Sequence, residues 1–294
     1  MTALTNKART PRIAVCGSIN YDTVYQLPHP LEAHTKVRAT ARDFVLGGSA
    51  ANTASAIRRL GTDADLIGFV GDDHYGSRCL KRLQSNGVDI AGVAVDRQTS
   101  TGHATVLLSG SDKRIVTFNS TSGVWKQPAT STQINRIQDA SFVHFACPET
   151  PWSVSLVQEA RAQRIPISVE INGRHLPHLT EHATYAFLNS SELHSLIGLR
   201  PEHIPDFAAL RDTLGCSEHC SVIVTDEDRH VWVYSSTAPA LQFPIKPVRP
   251  IVNRNGAGDY FNGGFLWATM RNYDLETRVR SGLGAARNRL AGAW

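Results

Sequence analysis

Residues Ile251 to Phe265 read IVNRNGAGDYFNGGF, and this stretch decides the fold. Gly256 and Gly258 flank the small Ala257, so main-chain N–H groups can converge here without obstruction by a Cβ atom. We predict that a helix begins at Asp259 and directs its positive end at the same place, which favours an anion. The helix dipole favours Asp259 as a carboxylate that can accept a hydroxyl proton. The turn therefore combines an anion hole with a candidate base.

A single G-x-G-D turn is not specific by itself, because a turn followed by an N-cap Asp has the same pattern. Other motifs narrow the choice. The chain contains no G-x-x-x-x-G-K-[ST], which argues against a P-loop enzyme. No G-x-G-x-x-G follows the first predicted strand, which argues against a dinucleotide-binding fold.

Composition points to a globular protein that acts on a small anionic ligand. The chain has 294 residues, 41% of them apolar, with a net charge of +4 and its basic residues dispersed among the acidic ones. This dispersal argues against a nucleic-acid partner. No apolar run approaches the ~20 residues of a membrane span, and the N-terminus lacks an apolar signal core, so we expect a cytoplasmic protein without a membrane partner. Five scattered cysteines predict reduced thiols.

Strands and helices alternate regularly from Phe142 onward, which is typical of βαβ units and a parallel sheet. The earlier strands are too polar on one face to lie inside that sheet. We therefore predict an α/β fold with three α/β/α layers, a doubly wound and mostly parallel sheet, and a small β-strand lid. Residues 1–294 form one domain in this interpretation, and the lid strands come from roughly 20–48 and 99–121. Ligands bind beyond the carboxyl ends of such strands.

Four segments together resemble one known family. Gly256 to Phe265 resembles the second signature of the ribokinase-like (PfkB) sugar kinases, D-T-x-G-A-G-D-x-F-x-G-G-F. Gly47 to Asn52 (GGSAAN) resembles their G-G-x-x-A-N segment, and Gly17 to Asp22 (GSINYD) resembles their first strand with its sugar-binding Asp. Gly68 to Gly76 resembles their G-x-x-G-x-D-x-x-G turn. The matches occur in the family's order and span almost the whole chain.

The resemblance implies a small-molecule kinase in which Asp259 takes the proton from a substrate hydroxyl. The amides of Gly256, Ala257 and Gly258 would hold the phosphate that is transferred. The residues that the resemblance assigns to the sugar are Asn20, Asp22, Gly48 and Asn52. A turn-capping role for Asp22 and a helix-terminal role for Asn52 remain as alternatives.

On the donor side, Asn189 to Glu192 resembles the family's N-x-x-E motif, which is tied to water-mediated binding of magnesium and phosphate. This resemblance assigns Asn189 to cofactor binding and Glu192 to both Mg²⁺ and cofactor binding. The same spacing is also that of a helix capping box, and the two roles are compatible. Glu170 to Arg174 resembles the D-x-N-x-R strand end of related kinases, which makes Arg174 a phosphate or carboxylate ligand. Thr225 ends the strand that passes the nucleotide in the family. ATP and Mg²⁺ are the expected cofactors.

Two departures from the family bear on the nucleotide. Asn253 and Arg254 replace the usual Asp and Thr; Asn253 lacks the charge that holds a monovalent cation, which argues against potassium activation. Arg254 either holds a phosphate or partly occludes the nucleotide. The family's T-x-G-x-x-G is replaced by Thr225 followed by the acidic run 226–228, which should weaken ATP binding unless Arg229 or a metal compensates.

The sequence therefore predicts an ATP-dependent phosphotransferase that acts on a hydroxymethyl group of a sugar or sugar-like polyol. Two alternatives stay open: a nucleoside kinase of the same fold, and a catalytically weakened member that binds a sugar or nucleotide. The lid strands could pair two copies of the chain as a homodimer. The sequence does not identify the sugar or nucleoside.

Overall fold

A computed structural model describes residues 11–110, 112–118, 121–204, 206–252 and 255–294 of the protein. Its strands are β1 Arg12–Gly17, β2 Asn20–Gln26, β3 Ala41–Gly47, β4 Asp63–Gly71, β5 Asp89–Asp96, β6 His103–Ser109, β7 Asp112–Phe118, β8 Phe142–Ala146, β9 Ile167–Glu170, β10 Tyr185–Asn189, β11 Ser221–Asp226, β12 His230–Ser235 and β13 Ala238–Pro244. Its α-helices are α1 Ser49–Arg59, α2 His74–Ser85, α3 Ser131–Gln138, α4 Pro151–Ala162, α5 Pro177–Thr180, α6 Ser190–Ile197, α7 Phe207–Leu214, α8 Ala257–Thr269 and α9 Leu275–Leu290.

The main sheet has the strand order β13-β12-β11-β10-β9-β8-β1-β4-β5. All neighbours from β11 to β5 are parallel, whereas β12 and β13 are antiparallel. β1 lies at the centre of the parallel part, and its residues Ile13 to Cys16 are fully buried, as expected for a strand covered on both faces. The predicted mostly parallel α/β sheet is confirmed.

Helices cover both faces of this sheet. Helices α1, α2, α8 and α9 pack on one face, where Ile57, Phe261 and Phe265 are buried. Helices α3, α4, α6 and α7 pack on the other, where Trp152 and Leu156 are buried. These two cores give the predicted three layers.

A second sheet, with the order β3-β2-β6-β7, forms the small lid. β2 pairs antiparallel with β3 and parallel with β6, and β7 returns antiparallel beside β6. In the chain, β2 and β3 follow β1, and β6 and β7 follow β5. The lid therefore lies next to the carboxyl ends of the central strands.

Three details differ from the sequence-based expectations. Helix α8 begins at Ala257, two residues before the predicted start, so Asp259 is its third residue. Strands β12 and β13 form an antiparallel edge that sequence patterns do not reveal. β13 contains Pro239 and Pro244 and is largely exposed, and proline is tolerated in a sheet only at such an edge. Within the described residues, no helix combines the length and apolar character needed to cross a membrane.

Candidate functional site

The candidate site is built where the turn before α8 meets the start of α1. Gly256 has a φ of 77°, which a residue with a side chain rarely adopts, and it caps α8 without any side-chain hydrogen bond to the helix. A Cβ atom on Gly256 would lie 2.8 Å from Nδ2 of Asn52, whereas one on Gly258 would meet nothing within 4 Å. The first amides of α8 therefore face open space beside Gly258, as an anion hole requires.

Asp259 is held by the first turns of α1. Nδ2 of Asn52 donates to Oδ2 of Asp259 at 2.8 Å, and Oγ1 of Thr53 donates to the main-chain oxygen of Asp259 at 3.2 Å. Burial raises the pKa of Asp259, opposed by hydrogen bonds from Asn52 and Ser49 and by the charge of Arg289. Asp259 lies in the first turn of α8, as the sequence indicates, although the helix begins two residues earlier than predicted. A raised pKa brings a carboxylate closer to the range of an effective general base.

Asp22 reaches the same region from the lid. A Cβ atom on Gly47 would lie 2.0 Å from Oδ2 of Asp22, so the first glycine of the GGSAAN segment leaves room for this carboxylate. Burial raises the pKa of Asp22 to about 6, the negative charge of Asp259 adds to the rise, and a hydrogen bond from the amide of Ala104 opposes it. Oδ1 of Asp22 is buried without a hydrogen-bond partner in the structure. An unpaired buried carboxylate oxygen is the kind of acceptor that a sugar hydroxyl satisfies.

Asn20 and Gly48 lie beside Asp22 but play different structural parts. Gly48 caps α1 with a φ of 91°, and a Cβ atom there would lie 2.4 Å from the main-chain oxygen of Ser18. Oδ1 of Asn20 lies against Gly102, whose added Cβ would come within 2.2 Å of it. The structure thus brings the four predicted sugar residues to the junction of the lid and α1.

Two acidic side chains, Glu170 and Glu192, lie in a small cavity beside Gly258. Glu170, Asn189, Glu192 and Thr225 line a small cavity of about 60 Å³ together with Gly258. Burial raises the pKa of Glu170, and the charges of Asp259 and Glu192 raise it further. Ser49 acts in the opposite direction on both Glu170 and Asp259, since its hydroxyl lowers the pKa of each carboxyl group.

Glu192 also serves its own helix. Oδ1 of Asn189 accepts from the amide of Glu192, and Oε2 of Glu192 accepts from the amide of Asn189, both at 2.9 Å. This is the capping box that the sequence allowed, and it leaves Oε1 of Glu192 for other ligands. Burial raises the pKa of Glu192. Within the described ranges, no group of three or more His, Cys, Asp or Glu side chains is arranged to hold a metal ion.

A larger cavity of about 580 Å³, which we call the donor cleft, opens beside the anion hole. Ala257 and Gly258 line one end of it with Asn189 and Thr225. Its far end is apolar, and its lining there is Ile245, Val248, Phe261, Leu283, Ala286 and Leu290. Lys246, Arg280 and Arg287 supply positive charge at its rim. An apolar slot that leads to helix amides suits a molecule with a flat ring at one end and phosphates at the other.

Sequence reasoning missed Lys246 and Arg287, because neither lies in a motif and they come together only in the folded chain. The acidic run after Thr225 is also less exposed to the cleft than expected. Asp226 is buried and accepts from Nη2 of Arg229 at 2.7 Å, so this cation compensates as the sequence allowed. Glu227, which does line the cleft, has a φ of 49°.

Two other predicted residues are less well placed. Arg174 lies in the loop after β9, is exposed and does not line the donor cleft. Its assignment to a phosphate or carboxylate stays a prediction. Asn253 and Arg254 lie outside the described residues.

Comparison with known proteins identifies the family. The family model described as pfkB family carbohydrate kinase matches residues 10–289. The chain belongs to the pfkB carbohydrate kinase family. Membership makes it a kinase that phosphorylates a hydroxyl group of a sugar or nucleoside, and the family resemblance seen in the sequence is confirmed.

Individual relatives of this pfkB kinase agree with the family match. It is 28% identical over 274 residues to a ribokinase of Bacillus subtilis, covering 91% of this chain and 89% of the relative. It is 24% identical over 274 residues to a nucleoside kinase of Methanocaldococcus jannaschii, covering 90% and 85%. The solved structure of Arabidopsis thaliana ribokinase complexed with ribose and ATP superimposes with a TM-score of 0.83 at 20% identity, covering 96% of this chain and 93% of that one. The predicted ribokinase-like fold is confirmed.

Proposed function

We propose that this pfkB kinase transfers the terminal phosphoryl group of ATP to a hydroxymethyl group of a sugar or sugar-like polyol, with Asp259 as the base. The observation that carries the proposal is the double role of one helical turn. Ala257 and Gly258 line the donor cleft, and Asp259, one residue on, is turned to Asn52 on the acceptor side. A donor phosphate at the amides and an acceptor hydroxyl at the carboxylate are thereby held next to each other.

The chemistry follows from this placement. Asp259 takes the proton of the acceptor hydroxyl while the hydroxyl oxygen forms the new O–P bond, and the bond from phosphorus to the leaving ADP oxygen breaks. The amides of Gly256, Ala257 and Gly258 stabilise the negative charge on the phosphoryl oxygens as it moves. Asp22 accepts hydrogen bonds from other acceptor hydroxyls and fixes which hydroxyl reaches Asp259.

Oxygen ligands near the anion hole fit a magnesium ion. Glu192 lies next to Gly258 in the small cavity, and Glu170 contributes an oxygen, Oε2, that has no partner in the structure. Mg²⁺ is commonly held by one or two carboxylates, waters and substrate phosphates, so a full protein cage is not needed. When bound, the ion would neutralise phosphate charge, and Glu192 is the residue that we assign to it.

The donor is ATP in this proposal, and the relative that was solved with ribose and ATP supports it. The apolar end of the donor cleft would take the adenine, while Lys246 and Arg287 offset the charge of Glu227. Asn189 and Thr225 lie at the phosphate end. Arg174 and Arg254 are further candidates for phosphate contacts, and the change at Asn253 argues against potassium activation.

The decisive experiment is an assay of ADP release with ATP and Mg²⁺ over a panel of pentoses, hexoses, polyols and nucleosides. We expect ADP release with at least one sugar and a product whose ³¹P spectrum shows a phosphomonoester. Turnover confined to nucleosides would favour the nucleoside kinase alternative, which the relative of M. jannaschii supports. Failure of ATP with Mg²⁺ to bind in calorimetry would instead favour a weakened member that only binds its ligand.

The lid also supports pairing of two copies of the chain. Register across the lid strands places Phe44, Val116 and Phe118 on one face, and they are 43%, 68% and 60% exposed. Exposed apolar side chains of this size on a sheet face favour contact with another protein surface. Sedimentation equilibrium of the wild type and of Phe118→Asp tests this. A dimer that the substitution dissociates supports pairing through the lid, and a monomeric wild type rules it out.

A further inference from the structure

A second cavity of about 580 Å³ includes Asn52, the hydrogen-bond partner of Asp259, among its lining residues. It is bounded by α1, α2, β3 and the facing parts of α8 and α9, and we call it the basic pocket. Its charged lining residues are Arg59, Arg78, Lys81, Arg82 and Arg289, and no Asp or Glu lines it. It shares no lining residue with the donor cleft. The family's reaction as proposed above uses none of the basic residues in it.

In the part of the chain that the structure describes, no Asp or Glu side chain forms an ion pair with the basic residues of the pocket. Arg78 donates to the hydroxyl of Tyr21 at 2.7 Å, and Arg289 donates to the main-chain oxygens of Asn255 and Trp294 at 2.9 and 3.1 Å. Elsewhere, the half-buried Arg12 pairs with Asp65 and the exposed Arg229 pairs with Asp226.

Such an arrangement costs stability in the absence of a ligand. Arg78, Lys81 and Arg82 lie three and four positions apart on α2, so their charges repel one another across one helix face. Arg59 and Arg289 add positive charge from the facing elements. An anion bound among them would convert this repulsion into attraction.

The rest of the lining narrows the chemistry of the ligand. Asn52, Ser55, Ser85 and Asn86 offer neutral hydrogen-bonding groups, and Nδ2 of Asn86 already donates to Oγ of Ser55 at 3.3 Å. Aromatic rings of Tyr21, Phe44, Tyr260 and Trp294 form the apolar walls. Arginine and lysine donors suit phosphate oxygens, and the volume falls in the range of about 300–1,000 Å³ that small-molecule sites occupy.

We propose that the basic pocket is a binding site for a phosphorylated small molecule, separate from the donor cleft and adjacent to the catalytic base. The contact between the two sites is direct. Asn52 lines the basic pocket and donates to Asp259, and Arg289 lines it while its charge acts on Asp259. A bound anion engages Asn52 and Arg289, and so changes how firmly the Asp259 carboxylate is held.

Calorimetry with inorganic pyrophosphate as the probe tests the site without turnover. The donor cleft is first saturated with a non-hydrolysable β,γ-methylene analogue of ATP, at a fixed ionic strength of about 0.1 M because salt screens such charges. We expect one further pyrophosphate site in the wild type, and at least tenfold weaker binding in the double variant Arg59→Gln/Arg82→Gln. Both side chains are exposed, so the fold should tolerate their replacement.

The matched control is Arg161→Gln/Arg200→Gln, which removes the same charge from exposed positions outside the pocket. It should bind pyrophosphate as the wild type does. Absence of a further site in the wild type, or equal affinity in the two double variants, would overturn the proposal. Neither result would contradict the proposed kinase reaction, because ADP release is measured in a separate assay.

Kinetics then separate two sources of the phosphate. If it belongs to the acceptor, Arg59→Gln/Arg82→Gln should raise KM for a phosphorylated sugar about tenfold and leave KM for the unphosphorylated sugar unchanged. If it belongs to a separate effector, pyrophosphate should change kcat of the wild type with an unphosphorylated sugar and leave the double variant unaffected. Either result supports the site. Binding that alters neither constant contradicts the proposed coupling through Asn52.

Discussion

The donor cleft and the basic pocket have the same volume, about 580 Å³ each, yet they are built to attract anions by different means. The donor cleft presents main-chain amides at the start of α8, next to an apolar slot. The basic pocket presents five side-chain cations and, among the described residues, no Asp or Glu side chain. Main-chain amides are fixed in place before a ligand arrives, which suits a phosphate that must be held in one geometry during reaction. Flexible cationic side chains suit recognition of a charge, without the same demand on position.

The hydrogen-bonded pair of Asn52 and Asp259, which we call the wall, joins a lining residue of the basic pocket to the neighbour of Gly258, which lines the donor cleft. One side of Asn52 borders the basic pocket, and its amide holds the carboxylate that we assign as the base. The comparison therefore predicts a graded series. Substitution of the base, Asp259, should reduce activity most, followed by substitution in the anion hole at Gly258. Substitution of Asn52 should reduce it less, and substitution of Asp22 in the lid least.

The largest effect is expected for Asp259→Asn. The amide cannot accept the acceptor's proton, so kcat should fall by about a thousandfold, in the range of general-base contributions. Steady-state assays at saturating ATP and sugar measure it. The control is Asp206→Asn, the same chemical change at the exposed N-cap of α7, which should keep full activity. A near-normal kcat in Asp259→Asn would contradict the role of Asp259 as the general base.

Gly258→Ala should have the next largest effect. The new methyl group meets no atom of the described residues within 4 Å, so it occupies the space assigned to the phosphate, and kcat/KM for ATP should fall by about a hundredfold. Gly284→Ala is a matched control, because its methyl group also meets no described atom within 4 Å and Gly284 lines the same cleft from α9. Its loss should be much smaller. Equal, small losses in both variants would speak against phosphate binding at Gly258.

Asn52→Ala should lower kcat by about tenfold, because the Asp259 carboxylate loses a hydrogen bond to a charged group. The pKa of Asp259 should rise further in this variant, so the decrease in kcat should become larger as the pH falls. Asn86→Ala removes an amide from the basic pocket without a contact to Asp259 and serves as the control. A loss of kcat in Asn86→Ala as large as in Asn52→Ala would show that the wall does not act through the base.

Asp22 should give the smallest effect, seen as a pH dependence of KM for the acceptor. Its pKa is raised to about 6, so it is a carboxylate above that pH and loses its acceptor role as the pH falls through it. Between about pH 7 and pH 5.5, KM should rise about fourfold, as follows from the titration of one group with that pKa. Asp22→Asn should show a high KM that no longer changes over this range. If KM still rises with decreasing pH in Asp22→Asn, the pH dependence comes from the titration of another group.

The parts of the site that sequence could predict are those in which consecutive residues carry the constraint. Gly256 to Asp259 and Gly47 to Asn52 each need glycine for a special φ or a close approach, so their patterns remain visible in one dimension. Asp22 was predicted by its motif, and Gly47 is the residue that makes room for it.

The features of the site that could not be predicted arise where residues far apart in the sequence come together in the fold. The basic pocket combines positions 59, 78 to 82 and 289, and no local pattern marks them. Lys246 and Arg287 reach the donor cleft from separate elements in the same way. The raised pKa of Asp259 could not be predicted from the sequence either, because the dipole of α8 can be inferred locally but the burial of Asp259 cannot. The edge strand β13 was missed because its two prolines argue against a strand anywhere but at an edge.

The most direct test of the central claim is the pH profile of single-turnover phosphoryl transfer, measured with saturating ATP, Mg²⁺ and sugar. Burial raises the pKa of Asp259, so the base becomes protonated at a higher pH than an ordinary Asp does. The account predicts a rate that falls with decreasing pH and begins to do so above about pH 4, the usual range of an aspartate. In Asp259→Asn the residual rate should lose this limb. A wild-type rate that stays flat down to that range, or an unchanged limb in Asp259→Asn, would contradict the assignment of Asp259 as the base.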